Sequence, residues 1–313
     1  MKQKNIFSVL IWFLIIVFLS GCDSQGLLRR VATKRIGVAY RITMEDNHVF
    51  VTTNEGFNIF DISDPSKPQK TSEFSSGVTF GIFVENDFVY IAGQNGLEII
   101  NVNDPTNPYQ VGAMDISGDI YNIFVLDSYA YLAGSNGLYV VDVSDPTTPL
   151  TVKHLSVGFG GGIEAVDNIM YLGMQSSGIM VFDITDPSSP LEIGTVSGTG
   201  GCGGINIIED FAYVSCREAG VKILDISNRT DPMVIGSYYD NDGGEALGLW
   251  GNGENLFIAD NYGIEVLDIK DPTNPIEIAE YSNVKAAHTL VSDGTFIFVA
   301  EVKGLLVFEF NGE

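Results

Sequence analysis

Residues 137–146, with the sequence GLYVVDVSDP, decide the fold of this 313-residue chain. A turn glycine, an apolar run of Leu, Tyr and Val, and then Asp-Pro predict a short β-strand between two turns. Further copies of this motif begin at Gly56, Gly96, Gly178, Gly220, Gly263 and Gly304. The copy at Gly220 has three extra residues before Asp231-Pro232, and the end of the chain shortens the copy at Gly304. Self-similarity with a period of about 40 residues predicts an array of repeated structural units.

Each repeat contains four short apolar segments, which we call strands A to D in chain order. In the third repeat, strands A, B and C correspond to residues 123–125, 129–133 and 138–143, and strand D follows the turn at residues 145–149. Four strands in about 40 residues are typical of a propeller blade. The chain offers no convincing amphipathic helix. The sequence therefore predicts an all-β, seven-bladed β-propeller of four-stranded blades.

The two ends of the chain predict how the ring closes. The last repeat ends at Glu313 without a strand D, whereas residues 28–36 precede the first strand A and align with strand D segments such as residues 191–194. We expect this N-terminal strand to complete the last blade, because pairing both termini in one sheet removes an open edge. The predicted propeller domain is residues 28–313.

The strand C motif also resembles a known family. Residues 138–143, LYVVDV, are similar to the LVIVD repeat, while the WD dipeptide and the double glycine of kelch repeats are absent. The resemblance covers nearly the whole chain after residue 27. It implies a β-propeller surface protein and carries no settled biochemical activity.

The first residues predict export and a membrane anchor. Lys2 and Lys4 precede an apolar stretch at residues 6–19, which is the order found in secretory signals. Residues 19–22, LSGC, resemble a bacterial lipoprotein box, which implies a signal peptide at residues 1–21, a lipid on Cys22 and a short tether at residues 22–27. The expected location is membrane-anchored, on the periplasmic or cell-surface side. The alternative is an uncleaved signal anchor.

Composition and motifs restrict the partners. The formal net charge of −24 repels phosphate backbones, so we expect no nucleic-acid partner. No phosphate loop or nucleophile elbow is visible, and His48, His154 and His288 fall in different blades. A carboxylate pair such as Glu164 and Glu245 is a weak basis for catalysis in so acidic a chain. We expect no cofactor and a monomer.

The top face, where strands A begin, is the predicted working face. Its strand D–A and strand B–C loops vary between blades, whereas the aspartates of the opposite, bottom face recur in every blade as turn builders. At one position of strand A near the channel mouth, Arg41, Asn122 and His288 replace the small residues Gly81, Gly162, Gly204 and Ala246. The preceding position contains Tyr40, Tyr121 and Glu245. We predict a ligand or partner site from these six residues, with sequence drift at a solvated channel mouth as the alternative.

Two further features remain open on the sequence. Cys202 and Cys216 are about one position out of register across one hairpin, which a glycine-rich bulge could absorb, so they form either a disulfide or two buried thiols. Asp240, Asp242 and Glu245 resemble half of a calcium loop, with a flexible polar loop as the alternative.

These features together favour a non-enzymatic binding module of the bacterial cell envelope, whose top face meets a protein or glycan partner. One alternative is a channel-mouth enzyme of the lyase or hydrolase type. Another is a structural or assembly factor of the envelope. The tether leaves near the bottom face, so the top face is expected to point away from the membrane.

Overall fold

A computed structural model describes residues 26–240 and 243–312, and within these ranges it contains 28 β-strands. They form seven antiparallel sheets of four strands each. No helix that could cross a membrane occurs in the described ranges. The seven-bladed β-propeller expected from the repeat is confirmed.

The blades follow the chain. The strands are β1 (Leu28–Arg35); in blade one, β2 (Ala39–Glu45), β3 (His48–Thr53), β4 (Gly56–Asp61) and β5 (Gln69–Ser75); in blade two, β6 (Thr79–Glu85), β7 (Phe88–Gly93), β8 (Gly96–Asn101) and β9 (Tyr109–Met114); in blade three, β10 (Ile120–Leu126), β11 (Tyr129–Gly134), β12 (Gly137–Asp142) and β13 (Leu150–Leu155); in blade four, β14 (Gly160–Val166), β15 (Ile169–Met174), β16 (Gly178–Asp183) and β17 (Leu191–Val196); in blade five, β18 (Ile205–Ile208), β19 (Phe211–Ser215), β20 (Val221–Asp225) and β21 (Met233–Tyr238); in blade six, β22 (Gly248–Gly251), β23 (Asn255–Ala259), β24 (Ile264–Asp268) and β25 (Ile276–Tyr281); and in blade seven, β26 (Ala287–Ser292), β27 (Phe296–Glu301) and β28 (Gly304–Phe310).

The core lies between neighbouring blades. The strands A of successive blades contact one another in a closed ring around the channel. Strands B and C are buried on both faces, because each blade packs against a blade on either side. One of the clusters between blades joins Leu97 and Ile99 of blade two to Ile123 and Leu132 of blade three. This two-sided burial explains why the motif is a nearly continuous apolar run rather than an alternating one.

The motif glycine begins strand C because no side chain fits there. Gly137 has a φ of 109°, and a Cβ atom on it would lie 2.2 Å from the carbonyl oxygen of Leu155 in strand D. Only glycine adopts this left-handed conformation and tolerates this close approach without strain. The need for glycine at the start of strand C explains why a glycine begins every copy of the motif.

The bottom aspartates build turns, as the sequence predicts. Asp145 accepts hydrogen bonds from the backbone N–H of Thr147 at 2.9 Å and from its hydroxyl group at 2.7 Å. These bonds, the hydroxyl bond first, lower the pKa of Asp145. In blade five, Asn228 takes this place: its carbonyl oxygen accepts from the N–H of Asp231 at 3.0 Å, as that of Asp145 accepts from Thr148. The insertion read from the sequence is therefore wrong, because Asp231 is equivalent to Thr148 and not to Asp145.

The N-terminal strand closes the ring. β1 pairs with β28 from Leu28 opposite Phe310 to Arg35 opposite Gly304, with a bulge between Arg30 and Ala32. Leu28 is fully buried in the core cluster between blades six and seven. The prediction that residues 28–36 complete the last blade is confirmed for Leu28–Arg35. Because Leu28 lies at the bottom end of the blade, the chain enters the propeller from the bottom face.

Side chains on the inner strands satisfy backbone groups of the next blade. Strand A is the inner edge of each sheet, so half of its N–H groups have no partner within the blade. Glu164 accepts from the N–H of Ile207 at 3.2 Å, and Asn206 accepts from Gly251 at 2.8 Å. Burial raises the pKa of Glu164 to about 8. The structure gives Glu164 a role in the contact between blades and does not bring it to Glu245.

Candidate ligand-binding site at the channel mouth

A β-bulge at the top of strand A recurs around the ring. In blade one the register slips between Ala39 and Ile42, so that Tyr40 and Arg41 both lie opposite Thr52. The same slip occurs in blades two, three, four and seven. In blades five and six, backbone bonds from Gly203 to Ser215 and from Leu247 to Ala259 mark the equivalent position. A bulge adds one residue and re-aims its side chain, here toward the channel mouth.

All seven bulge residues line one cavity of about 360 Å³. Around the ring they are Tyr40, Phe80, Tyr121, Gly161, Gly203, Leu247 and His288. Four consecutive blades supply a ring-bearing side chain, whereas blades four and five supply glycine. The cavity exists because of this asymmetry: large side chains fill one half of the mouth and glycines leave the other half open.

The ring-bearing side chains form a continuous arc. His288 stacks on Tyr40 with ring centroids 5.9 Å apart, and Tyr40 meets Phe80 edge to face at 5.3 Å. Phe80 contacts Tyr121 at 5.3 Å, and Phe159, from the loop before strand A of blade four, stacks on Tyr121 at 4.7 Å. Such pairs stabilise one another by roughly 0.5–1.5 kcal/mol each beyond their burial. The aromatic arc, defined by these five residues, is therefore a preformed and half-buried wall.

Basic and neutral polar groups complete the lining. Arg41 is half-buried by exposed area, yet enough protein surrounds its guanidinium for burial to lower its pKa to about 10. Arg217 reaches the cavity from the strand B–C loop of blade five, with a left-handed φ of 49°. His288 Nδ1 lies 2.6 Å from the carbonyl oxygen of Ala39, which requires Nδ1 to hold the proton. Gln175 and Thr289 also line the cavity.

The structure brings together four of the six mouth residues predicted from sequence. Tyr40, Arg41, Tyr121 and His288 line the cavity, whereas Asn122 and Glu245 are not among the lining residues. The Asn122 side chain instead accepts from the N–H of Ile123 at 2.9 Å. His288 is equivalent to Tyr40 and not to Arg41, so the sequence alignment was one residue out in blade seven.

Among the lining residues with large or polar side chains, sequence reasoning missed six: Phe80, Phe159, Gln175, Arg217, Leu247 and Thr289. Phe80 could have been found, because it directly precedes Gly81 in the same column as Tyr40 and Tyr121. Phe159, Gln175 and Arg217 lie in loops, where no local pattern marks them. Leu247 and Thr289 were missed because the sequence alignment was two residues out in blade six and one residue out in blade seven.

A wider groove lies outside the ring at the seam between blades six and seven. It measures about 550 Å³, and its lining includes Arg30, Arg35, Lys285 and Lys303. These four basic side chains are exposed, so water solvates them, and Arg30 also lies over the Tyr281 ring at 6.0 Å. The channel mouth is the better candidate site because the Arg41 guanidinium there is desolvated and the aromatic walls are held in place by packing.

The two remaining cysteines come into register through the same bulge. With Gly203 as the extra residue, Cys202 falls opposite Cys216, and their Cα atoms are 3.9 Å apart with the sulfur atoms within bonding distance. Both residues are buried between blades four and five. The geometry is compatible with the predicted disulfide, which depends on the redox state of the compartment.

Three carboxyl groups cluster beside the mouth in blade six. Oxygen atoms of Asp240, Asp260 and Glu265 lie within 4.8 Å of one another. Burial, followed by the charges of Asp240 and Asp260, raises the pKa of Glu265 to about 9. The sequence prediction had grouped Asp240 with Asp242 and Glu245, but Asp242 lies outside the described residues and Glu245 is not in this cluster. Calcium binding stays a prediction.

The raised pKa of Glu265 predicts how stability depends on pH. Because the folded-state pKa of about 9 exceeds the unfolded value, the stabilisation from the bound proton is complete below the unfolded pKa and is lost as pH rises toward 9. Glu265→Gln, which needs no proton, should raise the free energy of unfolding at pH 8.5 by about 1–3 kcal/mol and change it little at pH 4.5.

Thermal melts of the two chains across this pH range, in a chelating buffer, test the prediction. Glu192→Gln, at an exposed position of strand D in blade four, is the control and should leave the pH profile unchanged. The prediction would be contradicted if the melting temperature of Glu265→Gln changed with pH in the same way as that of the parent chain.

Fold and site together define a class: a seven-bladed β-propeller with an aromatic and basic cavity at the mouth of its channel. The chain belongs to the LVIVD repeat family, whose model matches residues 36–74, 76–116, 117–155, 160–197, 199–240 and 243–283. The resemblance read from the strand C motif is thus confirmed. A search among curated proteins returned no match to the sequence.

Two solved structures illustrate the similarity in fold. The β-propeller domain of Cps50 (Swd1) from Myceliophteria thermophila superposes with a TM-score of 0.75 at 9% identity, over 91% of this chain and 100% of that domain. The computationally designed Ika8 protein gives a TM-score of 0.65 at 10% identity, over 87% of this chain and 83% of the designed one. At such low identity these matches show the fold alone.

Proposed function

We propose that this protein is a non-enzymatic binding module, exported and lipid-anchored through Cys22 at the bacterial cell envelope, which holds its partner at the channel mouth. The aromatic arc is the observation that carries the proposal. Half-buried rings beside a few fixed polar groups are typical of ligand pockets. Among the described lining residues, no carboxylate accompanies His288 to orient it as a general base, which favours recognition over catalysis.

The chain entry supports the proposed orientation. The N–H of Asn311 donates to the carbonyl oxygen of Leu27 at 2.9 Å, which holds the start of the propeller at the bottom face. A tether of residues 22–27 is short, so a lipid on Cys22 would hold the bottom face near the membrane. The channel mouth would then point away from the membrane, where an envelope partner can reach it.

Binding to envelope material tests the proposal. The full-length protein should bind saturably to envelope fractions from cells that lack it, and Gly203→Phe should weaken this binding at least tenfold by filling the open half of the mouth. A Cβ atom on Gly203 meets no atom closer than 3.7 Å, so the variant is expected to fold. Gly194→Phe places the same ring on the outer strand of blade four as a control. Equal binding by both variants would refute a partner site at the mouth.

Export and lipidation have their own readouts. Cys22→Ser should abolish labelling by an alkyne-bearing fatty acid and release the protein from the membrane fraction. Export also predicts that Cys202 and Cys216 are oxidised, so the intact mass measured without reductant should be lower by two hydrogen atoms than the mass after reduction. An unlabelled chain with two free thiols would contradict both predictions.

A further inference from the structure

The channel mouth departs from the charge of the rest of the protein. The chain has a formal net charge of −24, yet Arg41, Arg217 and His288 line the cavity and no carboxylate does so within the described residues. Two described acids interact with the aromatic arc without lining the cavity: the Asp119 carboxylate accepts from the Tyr121 hydroxyl at 3.4 Å, and Glu301 interacts electrostatically with His288. An electropositive cavity on an acidic protein selects for anionic ligands.

Arg41 is the strongest part of this observation. Burial lowers the pKa of its guanidinium to about 10, so the group is still charged at neutral pH. In the described parts of the chain, its side chain has no hydrogen-bond acceptor and no ion-pair partner, and only its backbone bonds to Thr52. A desolvated and unpaired charge is unfavourable for folding, because the protein replaces water without supplying an acceptor. Because Arg41 lines the cavity, its guanidinium donors can bind a ligand there.

The wall on the same side of the mouth as Arg41 offers ring surface. The aromatic arc presents half-buried rings across four neighbouring blades, and the cavity of about 360 Å³ lies at the small end of the range for ligand sites. The Gln175 amide, the Thr289 hydroxyl and two phenols add neutral hydrogen-bonding groups. These groups suit a ring that bears hydroxyl groups, because such a ring offers an apolar face to the arc and hydroxyl groups to the neutral donors and acceptors.

We propose that the mouth binds a carboxylate-bearing sugar residue at the end of a glycan chain. Its carboxylate pairs with the Arg41 guanidinium, for which planar, two-point recognition of a carboxylate is characteristic. The ring lies against the aromatic arc, and Arg217 and Gln175 close the open side. The inference rests on the proposed function, because it names the partner class of the same site.

Simple sugars test the proposal on the full-length protein in a detergent without a sugar headgroup. Calorimetry should show that methyl β-D-glucuronide binds at least tenfold more tightly than the neutral methyl β-D-glucoside. Benzoate and inorganic phosphate should bind more weakly than the glucuronide, since each supplies only part of the recognition. N-acetyl-phenylalanine with a free carboxylate represents a protein C-terminus and should also bind more weakly. Equal affinity for glucuronide and glucoside, or tighter binding of any other probe, would overturn the assignment.

The Arg41 variants separate binding from folding. Arg41→Met should bind glucuronide no better than glucoside and should melt at a higher temperature than the parent chain, because an unpaired desolvated charge is removed. Arg41→Lys should keep part of the preference, since it retains the charge and loses the planar geometry. A purely structural role for Arg41 predicts the opposite, a lower melting temperature with unchanged selectivity.

The outcome is distinguishable from failure of the proposed function. If no sugar binds while Gly203→Phe still abolishes envelope binding, the glycan assignment fails and the binding module stands. If glucuronide binds but Gly203→Phe leaves binding to envelope fractions unchanged, the proposed function fails instead.

Discussion

Deletion of Leu28–Arg35 from the full chain should lower the free energy of unfolding by at least about 5 kcal/mol and turn the propeller into an aggregating species. β1 supplies the outermost strand of blade seven, so its loss exposes the whole edge of β28. Unpaired edges of this kind recruit other chains. The deletion also removes Leu28, whose full burial contributes about 2–3 kcal/mol.

Chemical denaturation and size-exclusion chromatography measure both effects. A synthetic peptide of residues 28–36, added to the deleted chain, should restore the denaturation midpoint of the parent chain, because the peptide can pair with β28 as an added strand. A scrambled peptide of the same composition is the control and should restore nothing. An unchanged denaturation midpoint after the deletion would show that blade seven is stable with three strands and that the closure does not hold the ring.

Gly162→Ala should lower the free energy of unfolding by about 2–3 kcal/mol, which corresponds to several degrees in melting temperature. A Cβ atom on Gly162 would lie 2.2 Å from the carbonyl oxygen of Gly203 and 3.0 Å from the Cα atom of Gly204. The obstacle is the backbone of the neighbouring strand A, so no side-chain rotation relieves it and blades four and five must move apart. The φ of Gly162 is unremarkable, which leaves this close approach as the reason for glycine.

Gly194→Ala provides the matched control in the same blade. A Cβ atom there meets nothing within 4 Å, and the position lies on the outer strand β17. Its effect should be below about 0.5 kcal/mol. Equal effects of the two substitutions in thermal melts would mean that the intrinsic conformational preference of alanine, and not the convergence of the inner strands, sets the cost at Gly162.

The site and the fold place opposite demands on the mouth. The ring closes most tightly if every bulge position is small, yet the aromatic arc places large residues at four of the seven positions. Phe80, for example, needs the open space left by the glycines across the mouth. Arg41 likewise leaves a charge without an acceptor among the described residues. Features that disfavour the fold and recur around one cavity are the positions where we place function.

Sequence alone determined the number of blades, the order of strands and the closure by residues 28–36. The reason is physical: each repeat forms its own hairpins through local turn residues such as Gly137 and Asp145, and a chain that ends without a strand D must find one elsewhere. The family resemblance follows from the same residues. The same local preferences act in all seven repeats, so the strand order read from one clear copy predicts the strand order of the others.

Only the tertiary structure decided which residues meet at the mouth. A bulge shifts the register by one residue and brings Cys202 opposite Cys216. The column of His288, in contrast, could have been read from the sequence, because His288 precedes Gly304 by 16 residues, as Tyr40 precedes Gly56. The spacing of the motif does not reveal the bulge, because every blade contains the extra residue and the repeat length therefore does not change. Phe159 and Arg217 reach the cavity from loops whose paths depend on the adjacent blades. Contacts between blades, which no repeat specifies by itself, therefore determine the site.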